Sequence, residues 1–246
     1  MYLEILEELI RSYANTSKHD ISILDVGCGN GGNVIELKKK GYTTFGTDVE
    51  FKLGPHTKKL LDEGYIKKIR MSATSRSSIR SSEDQYIWPF EDCIFNVVAS
   101  RAVLEHVKNI DDFISENSRI LRTGGLVIHY FPSKYSILEP HVGVPFGGIL
   151  KNKIYYNMCA RFGFFREKFK TNPEEALQYV RKYTEYRSNS AIVEAFEKSG
   201  FEYLGNHGSL ILKYYRSGKY SLACNSKVIS FLFKLFRSNV LVFRKS

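Results

Sequence analysis

The feature that most narrows the fold is a glycine-rich turn, Asp25-Val26-Gly27-Cys28-Gly29-Asn30-Gly31-Gly32. Before it, Ile21–Val26 is a short apolar run with the composition of a buried strand. After it, Asn33–Lys40 reads as a helix capped by Gly41, and Tyr42–Gly46 as a second strand leading to Asp48. Strand, glycine turn, helix, strand is a βαβ unit, and such units build parallel sheets. The glycines permit a tight turn and let a ligand lie close to the backbone. The first N–H groups of the following helix point at whatever occupies that turn. Asp48 lies twenty-one residues beyond Gly27, where an acid accepts hydrogen bonds from ribose hydroxyls. Together these residues predict an adenine-nucleoside site.

The alternation continues along the chain. Ile66–Met71 is predicted as a third strand, Ile94–Ser100 as a fourth and Leu126–Phe131 as a fifth. Between the last two, Asp111–Leu121 is an amphipathic helix ending at Gly124-Gly125. Ala191–Ser199 is a helix capped by Gly200, Phe201–Leu204 is strand-like, and Val240–Arg244 is a last strand. Leu3, Leu6, Leu9, Ile10 and Tyr13 mark an amphipathic helix ahead of the first strand. Two segments break the rhythm. Ser72–Ser82, with six serines and two arginines, reads as a loop. Pro132–Tyr186 is longer than an ordinary connection, and its Pro, Gly and aromatic content suits a substrate cover. A single domain over 1–246 is expected, with a cofactor core about 20–131, the cover about 132–186 and C-terminal elements about 187–246.

Composition sets the outer limits. The chain has 246 residues, 43% of them apolar, enough for a core that needs no disulfide or metal staple. Cys28, Cys93, Cys159 and Cys224 form no CxxC pair, so reduced thiols in a cytoplasmic protein are expected. Glu4, Glu7 and Glu8 replace the positive start of a signal peptide, and no run of eighteen apolar residues occurs. The net charge of +10 fits either an anionic partner or a basic solvated surface.

The glycines alone leave two nucleosides open. Gly27, Gly29 and Gly32 satisfy the dinucleotide pattern GxGxxG. Gly27, Gly29 and Gly31, two places after Asp25, satisfy DxGxGxG instead. Further motifs decide between them: Phe45-Gly46-Thr47-Asp48, Trp88-Pro89-Phe90-Glu91-Asp92, Val103-Leu104-Glu105-His106-Val107, and Glu116 with Arg119-Ile120-Leu121-Arg122-Thr123-Gly124-Gly125. In this order and spacing the chain resembles the class I S-adenosylmethionine-dependent methyltransferases, closely over 20–131 and loosely from 190 onward. Asn96 and Thr123 depart from the usual Asp and Pro of that pattern.

The resemblance implies a Rossmann-like α/β fold with a mostly parallel seven-stranded sheet and helices on both faces. It implies S-adenosylmethionine as cofactor, lying on Gly27, Cys28, Gly29 and Gly31. Asp25 would steady the loop and the methionine amino group, Asp48 would bind the ribose hydroxyls, and Ser100 and Arg101 would border the sulfonium. His106 begins the next turn and is either a cofactor neighbour or a packing residue. Asp84 is the one candidate for holding adenine.

Methyl transfer is an in-line displacement for which a protein mainly supplies proximity and orientation. An oxygen or nitrogen acceptor can also need a general base. His129 and His141 are the candidates, the first in an apolar run and the second in the loop Glu139-Pro140-His141. Glu139 and His141 lack a third ligand in the sequence, so no metal is expected. Ile154–Phe169 reads as a substrate lid or as an amphipathic helix on the sheet.

From Tyr203 to Ser246 there are eight basic residues and no acid, and Ser226–Arg237 reads as a basic amphipathic helix. It either covers the sheet or rests on an anionic membrane, in which case the acceptor is lipid-linked or amphiphilic. Nucleic acid is not an expected partner, for no NPPY-like tetrapeptide or RNA-binding module occurs. The rival readings are a non-catalytic nucleoside-binding module and a nicotinamide-dependent oxidoreductase. The latter needs Tyr-x-x-x-Lys or an equivalent, whereas Tyr179 and Lys182 are misspaced.

Overall fold

The computed structural model describes residues 1–14, 16–71, 85–215 and 225–246. The predicted loop Ser72–Ser82, Asp84 and Cys224 lie outside the described residues. The strands are β1 Ser22–Val26, β2 Thr43–Asp48, β3 Ile66–Lys68, β4 Arg70–Met71, β5 Tyr86–Ile87, β6 Phe95–Arg101, β7 Leu121–Pro132, β8 Phe201–Asn206 and β9 Ser238–Lys245. The helices are α1 Tyr2–Tyr13, α2 Gly32–Lys39, α3 Pro55–Asp62, α4 Ile110–Ile120, α5 Lys153–Arg161, α6 Pro173–Tyr183, α7 Asn189–Lys198, α8 Leu210–Tyr214 and α9 Lys227–Phe236. The main sheet has seven strands in the order β3-β2-β1-β6-β7-β9-β8. Its first five strands are parallel, and β9 runs antiparallel to both β7 and β8. This is the Rossmann-like sheet that the sequence predicts.

Alternation along each strand divides the core. Ile23, Val97, Ala99, Ile128 and Val242 turn to one face, where Leu6, Leu9 and Ile10 of α1 and Leu37 of α2 cover them. Leu24, Val98, Val127, Leu241 and Phe243 turn to the other, against Phe113 and Ile114 of α4 and Ile192 and Phe196 of α7. Both faces are covered, so these strands read as continuous apolar runs. From β1 the chain winds outward through β2 and β3, then returns to the other side of β1 as β6. That reversal between β1 and β6 is a switch point of the kind at whose carboxyl strand ends open α/β sheets bind ligands.

Three boundaries differ from expectation. Ile66–Met71 splits in two: Ile66–Lys68 joins β2, while Arg70–Met71 pairs with Tyr86–Ile87 in a separate two-stranded sheet. The helix expected to run to Gly124-Gly125 ends at Ile120, and β7 begins at once with Leu121. A register shift beside Phe95 absorbs Arg122–Gly125, with Gly124 at φ 76°. A β-bulge of this kind is set by the neighbouring strand, not by local propensity. Ile154–Phe169 forms neither a helix on the sheet nor one continuous lid. α5 packs on α6 through Tyr156, Cys159, Ala176, Leu177 and Val180, a small core separate from the two sheet faces. Asn172 caps α6, accepting from the Glu175 N–H at 3.0 Å, and Pro173 opens its first turn.

Candidate active site

Two polar clusters stand at the carboxyl end of the sheet. The first surrounds the glycine turn. Gly27, Gly29 and Gly31 adopt left-handed backbone, with φ of 73°, 58° and 80°. A Cβ added at Gly27 would lie 2.3 Å from Val103 Cγ2, and one at Gly31 would lie 2.3 Å from Leu60 Cδ1. One added at Gly29 would meet nothing within 4 Å. Gly27 and Gly31 thus let the protein close onto the turn, and of the three only Gly29 opens outward. Cys28 points inward beside Val34 and Leu60, and burial pushes its thiol pKa up. Its site contribution is packing and a backbone N–H donated to the Thr47 carbonyl at 3.1 Å.

Asp48 stands at the end of β2. Its Oδ2 accepts from the Gly29 N–H at 2.8 Å and its Oδ1 from the Glu50 N–H at 3.2 Å. Asp25, at the end of β1, is buried and accepts from Asn33 Nδ2 at 3.3 Å. Burial pushes its pKa up to about 7; the Asn33 bond opposes this and the charge of Asp48 adds to it. A cation arriving beside Asp25 would restore its charged form. Arg101 is exposed at the end of β6, 5.9 Å from the ring centres of both Tyr2 and Tyr130. The Tyr2 hydroxyl is buried with no hydrogen-bond partner among the described residues. Tyr2 was not legible as a site residue, because only the docking of α1 brings it to Asp25 and Arg101.

Ser100 and His129 meet inside the sheet. The Ser100 Oγ is 2.7 Å from His129 Nδ1. His129 is 0% exposed between Phe113 and Phe196, and burial drops its pKa to about 3. This corrects its candidacy as an acid–base group: a neutral imidazole sealed in the core reaches no acceptor. Ser100 is likewise buried.

The second cluster joins the cover to the turn after β6. The His141 Nδ1 is 2.7 Å from Glu139 Oε1, which also accepts from the Tyr186 hydroxyl at 2.5 Å. The other Glu139 oxygen accepts from the His141 and Val142 N–H groups at 2.8 and 2.7 Å. Burial would raise the Glu139 pKa, but these donors outweigh it and hold the carboxyl below its ordinary range. His106 lies here as well, its Nε2 3.1 Å from His141 Nε2. Glu105 completes the group, with its carboxyl buried and its pKa pushed up to about 7 by that burial. The Glu185 N–H donates to the Glu105 carbonyl at 2.7 Å, and Arg187 donates to the carbonyls of Val107 and Lys108. Glu105, Glu185, Tyr186 and Arg187 line a small cleft, partly open to solvent, together with Leu104, Phe131 and Ile192.

His141 has the carboxylate partner that an acid–base residue needs, and its other ring nitrogen faces His106. The adjacency of Glu105 and His106 was visible in sequence. Their meeting with Glu139 and His141 was not.

A family profile described as "Methyltransferase domain" matches residues 2–205. A sterol 4-C-methyltransferase of Caenorhabditis elegans is 29% identical over 111 residues, 45% of this chain and 31% of that protein. The chain thus spans about a third of that relative's length. Among solved structures, an S-adenosylmethionine-dependent methyltransferase from Mesorhizobium loti is similar at TM-score 0.56 and 11% identity, over 97% of this chain and 96% of that one. Geranyl diphosphate C-methyltransferase from Streptomyces coelicolor A3(2), solved with S-adenosyl-L-homocysteine, is similar at TM-score 0.52 and 11% identity, over 99% and 76%. At these identities the structural likeness speaks for the fold.

Proposed function

The chain belongs to the methyltransferase-domain family, and from that premise we propose that it transfers a methyl group from S-adenosylmethionine to a small-molecule acceptor, an amphiphile met at a lipid surface. The residues at the glycine turn fit the cofactor. Its ammonium would neutralise the buried Asp25, its ribose would meet Asp48, and Gly29 leaves its path clear. When bound, S-adenosylmethionine supplies a methyl group already activated by the sulfonium. The chain's task is to orient the acceptor and exclude water.

The observation that carries the amphiphile reading is the surface of α9. None of its ten residues is buried, and Val228 and Phe231 are 67% and 61% exposed. Lys227, Lys234 and Arg237 accompany this apolar face. The Ile137 N–H donates to the Phe236 carbonyl at 3.1 Å, so the apolar surface continues into exposed Ile137 and Leu138 of the cover. A helix with bulky apolar residues and basic flanks is built to lie in an anionic interface. The sterol named in the Caenorhabditis relative is an acceptor of the same character. No helix among the described residues is long and apolar enough to cross a membrane.

Two measurements test these statements. Calorimetric titration with S-adenosylmethionine and S-adenosylhomocysteine, against NAD as control, is expected to show binding of both sulfur nucleosides, weakened in Asp48→Ala. Binding of neither would favour a non-catalytic module. Flotation with anionic vesicles is expected to carry the wild type upward and to leave a Val228→Ser, Phe231→Ser variant behind. A wild type that stays at the bottom removes the lipid-surface reading and leaves a water-soluble acceptor.

A further inference from the structure

We propose that Glu105, His106 and His141 form a binding site for a divalent transition-metal cation at the edge of the cleft lined by Glu105, Tyr186 and Arg187. One ligand atom from each of the three lies within 4.8 Å of the others. Glu105 also lines the cleft itself.

The tautomers follow from the partners. The His106 Nδ1 is 2.7 Å from the Tyr183 carbonyl oxygen, which can only accept, so this nitrogen carries its hydrogen. The His141 Nδ1 faces Glu139 Oε1, an ionised oxygen that already accepts from Tyr186, so it donates too. Both imidazoles, when neutral, are therefore left with a lone pair on Nε2. Those two nitrogens face each other at 3.1 Å. Lone pairs so close repel unless a proton or a cation stands between them.

Two observations favour the cation. The first is distance. Ligand nitrogens about 2.05 Å from one metal are about 2.9 Å apart at a right angle and about 3.3 Å apart at the tetrahedral angle. The observed separation falls between these. The second is Glu105, which is 3% exposed and whose carboxyl meets no hydrogen-bond donor other than its own backbone N–H among the described residues. A proton shared by the histidines leaves that carboxyl without a counter-charge, whereas a cation supplies one. A cation held by all three residues satisfies them together.

The surroundings have the form of outer-shell support. A ligating histidine commonly donates its other N–H to a carboxylate or a backbone carbonyl, which fixes the ring and raises its basicity. Glu139 does this for His141, and the Tyr183 carbonyl does it for His106. Two imidazoles and one carboxylate suit zinc, manganese, iron or cobalt better than calcium or magnesium. Three protein ligands leave further positions free, and an oxygen of the acceptor (a hydroxyl, carboxylate or phosphate) would take one of them. That last step rests on the methyltransferase reading; the metal site does not. With the ion bound, His141 is a ligand and not a base.

The test uses the full chain, stripped with a chelator and dialysed to equilibrium against Zn²⁺ or Mn²⁺, with the bound metal measured by elemental analysis. One ion per chain is expected. His141→Ala and Glu105→Gln should each weaken binding at least about tenfold. Cys93→Ser, which removes an exposed thiol, should leave it unchanged. Thermal unfolding of each variant confirms that it folds. Should either variant fail to fold, the visible spectrum of the Co²⁺-loaded wild type decides, because nitrogen and oxygen ligands lack the charge-transfer band of thiolate. The proposal is overturned by a wild type that takes up no stoichiometric ion, by equal affinity in folded variants, or by a thiolate band. Cofactor titration on the same samples separates the two readings. Metal without S-adenosylmethionine keeps this site and removes the methyltransferase role, whereas S-adenosylmethionine without metal removes this site alone.

Discussion

Substituting alanine at Gly27 and at Gly29 separates a fold requirement from a ligand requirement within one turn. Both positions hold left-handed backbone, which costs an L-residue about 1–2 kcal/mol. At Gly29 the new methyl group meets nothing, so that is the whole effect on stability. At Gly27 it also lies 2.3 Å from Val103 Cγ2. Overpacking of this kind adds about 1–3 kcal/mol, for a total of about 2–5 kcal/mol. At about 2–4 °C per kcal/mol for a chain of this size, Gly29→Ala should lower Tm by about 2–8 °C and Gly27→Ala by about 4–20 °C. Affinity should rank the other way. Gly29→Ala puts a methyl group on the open side of the turn and is expected to weaken S-adenosylmethionine about tenfold or more in calorimetric titration, a change of about 1.4 kcal/mol. A Gly27→Ala, Val103→Ala double variant should recover part of the lost stability, since it removes the clashing methyl. Strict additivity of the two single variants would refute the clash, as would undiminished cofactor affinity in Gly29→Ala for the assigned open face.

Other expectations follow from burial and hydrogen bonding. Asp25 keeps in the native state a proton that the unfolded chain sheds near its ordinary pKa of 3.8, up to about 7. Stability attributable to Asp25 is therefore present at low pH and lost as pH rises through that window. Asp25→Asn should gain stability relative to wild type between pH 4 and pH 8 in denaturant unfolding, and a constant difference would contradict the assigned burial effect. His129→Leu should leave kcat and its pH profile unchanged while costing about 1–3 kcal/mol for the orphaned Ser100 hydroxyl. A shifted pH profile would return His129 to the chemistry. Arg119 ties α4 to the Trp88–Asp92 segment, donating to the Trp88 and Phe90 carbonyls at 3.0 and 2.8 Å and pairing with Glu116 and Asp92 at 2.6 and 2.7 Å. Arg119→Ala should cost about 2–3 kcal/mol in thermal unfolding. An unchanged melting point would show that this segment is held otherwise.

Short-range periodicity and backbone chemistry encode the local elements. The glycine turn, its Asp48 partner, the apolar strand runs and the amphipathic faces of α1 and α4 are each decided within about a dozen residues. There a 3.6- or 2-residue period, or a glycine at positive φ, leaves few alternatives. The motif order from Ile23 to Gly125 added the cofactor class. Tertiary structure alone decided the rest, because contacts between distant segments depend on which elements dock. The β7 bulge is set by its pairing with β6. α5 finds its partner in α6, not on the sheet. His129, equal in sequence to His141 as a candidate, is sealed by Phe113 and Phe196, which lie sixteen residues before it and sixty-seven after it. His106 and His141 are thirty-five residues apart in the chain and 3.1 Å apart in space. No local propensity encodes that meeting. It exists because residues 132–186 fold back toward the turn after β6, where Glu185 and Arg187 at the end of that stretch are hydrogen-bonded.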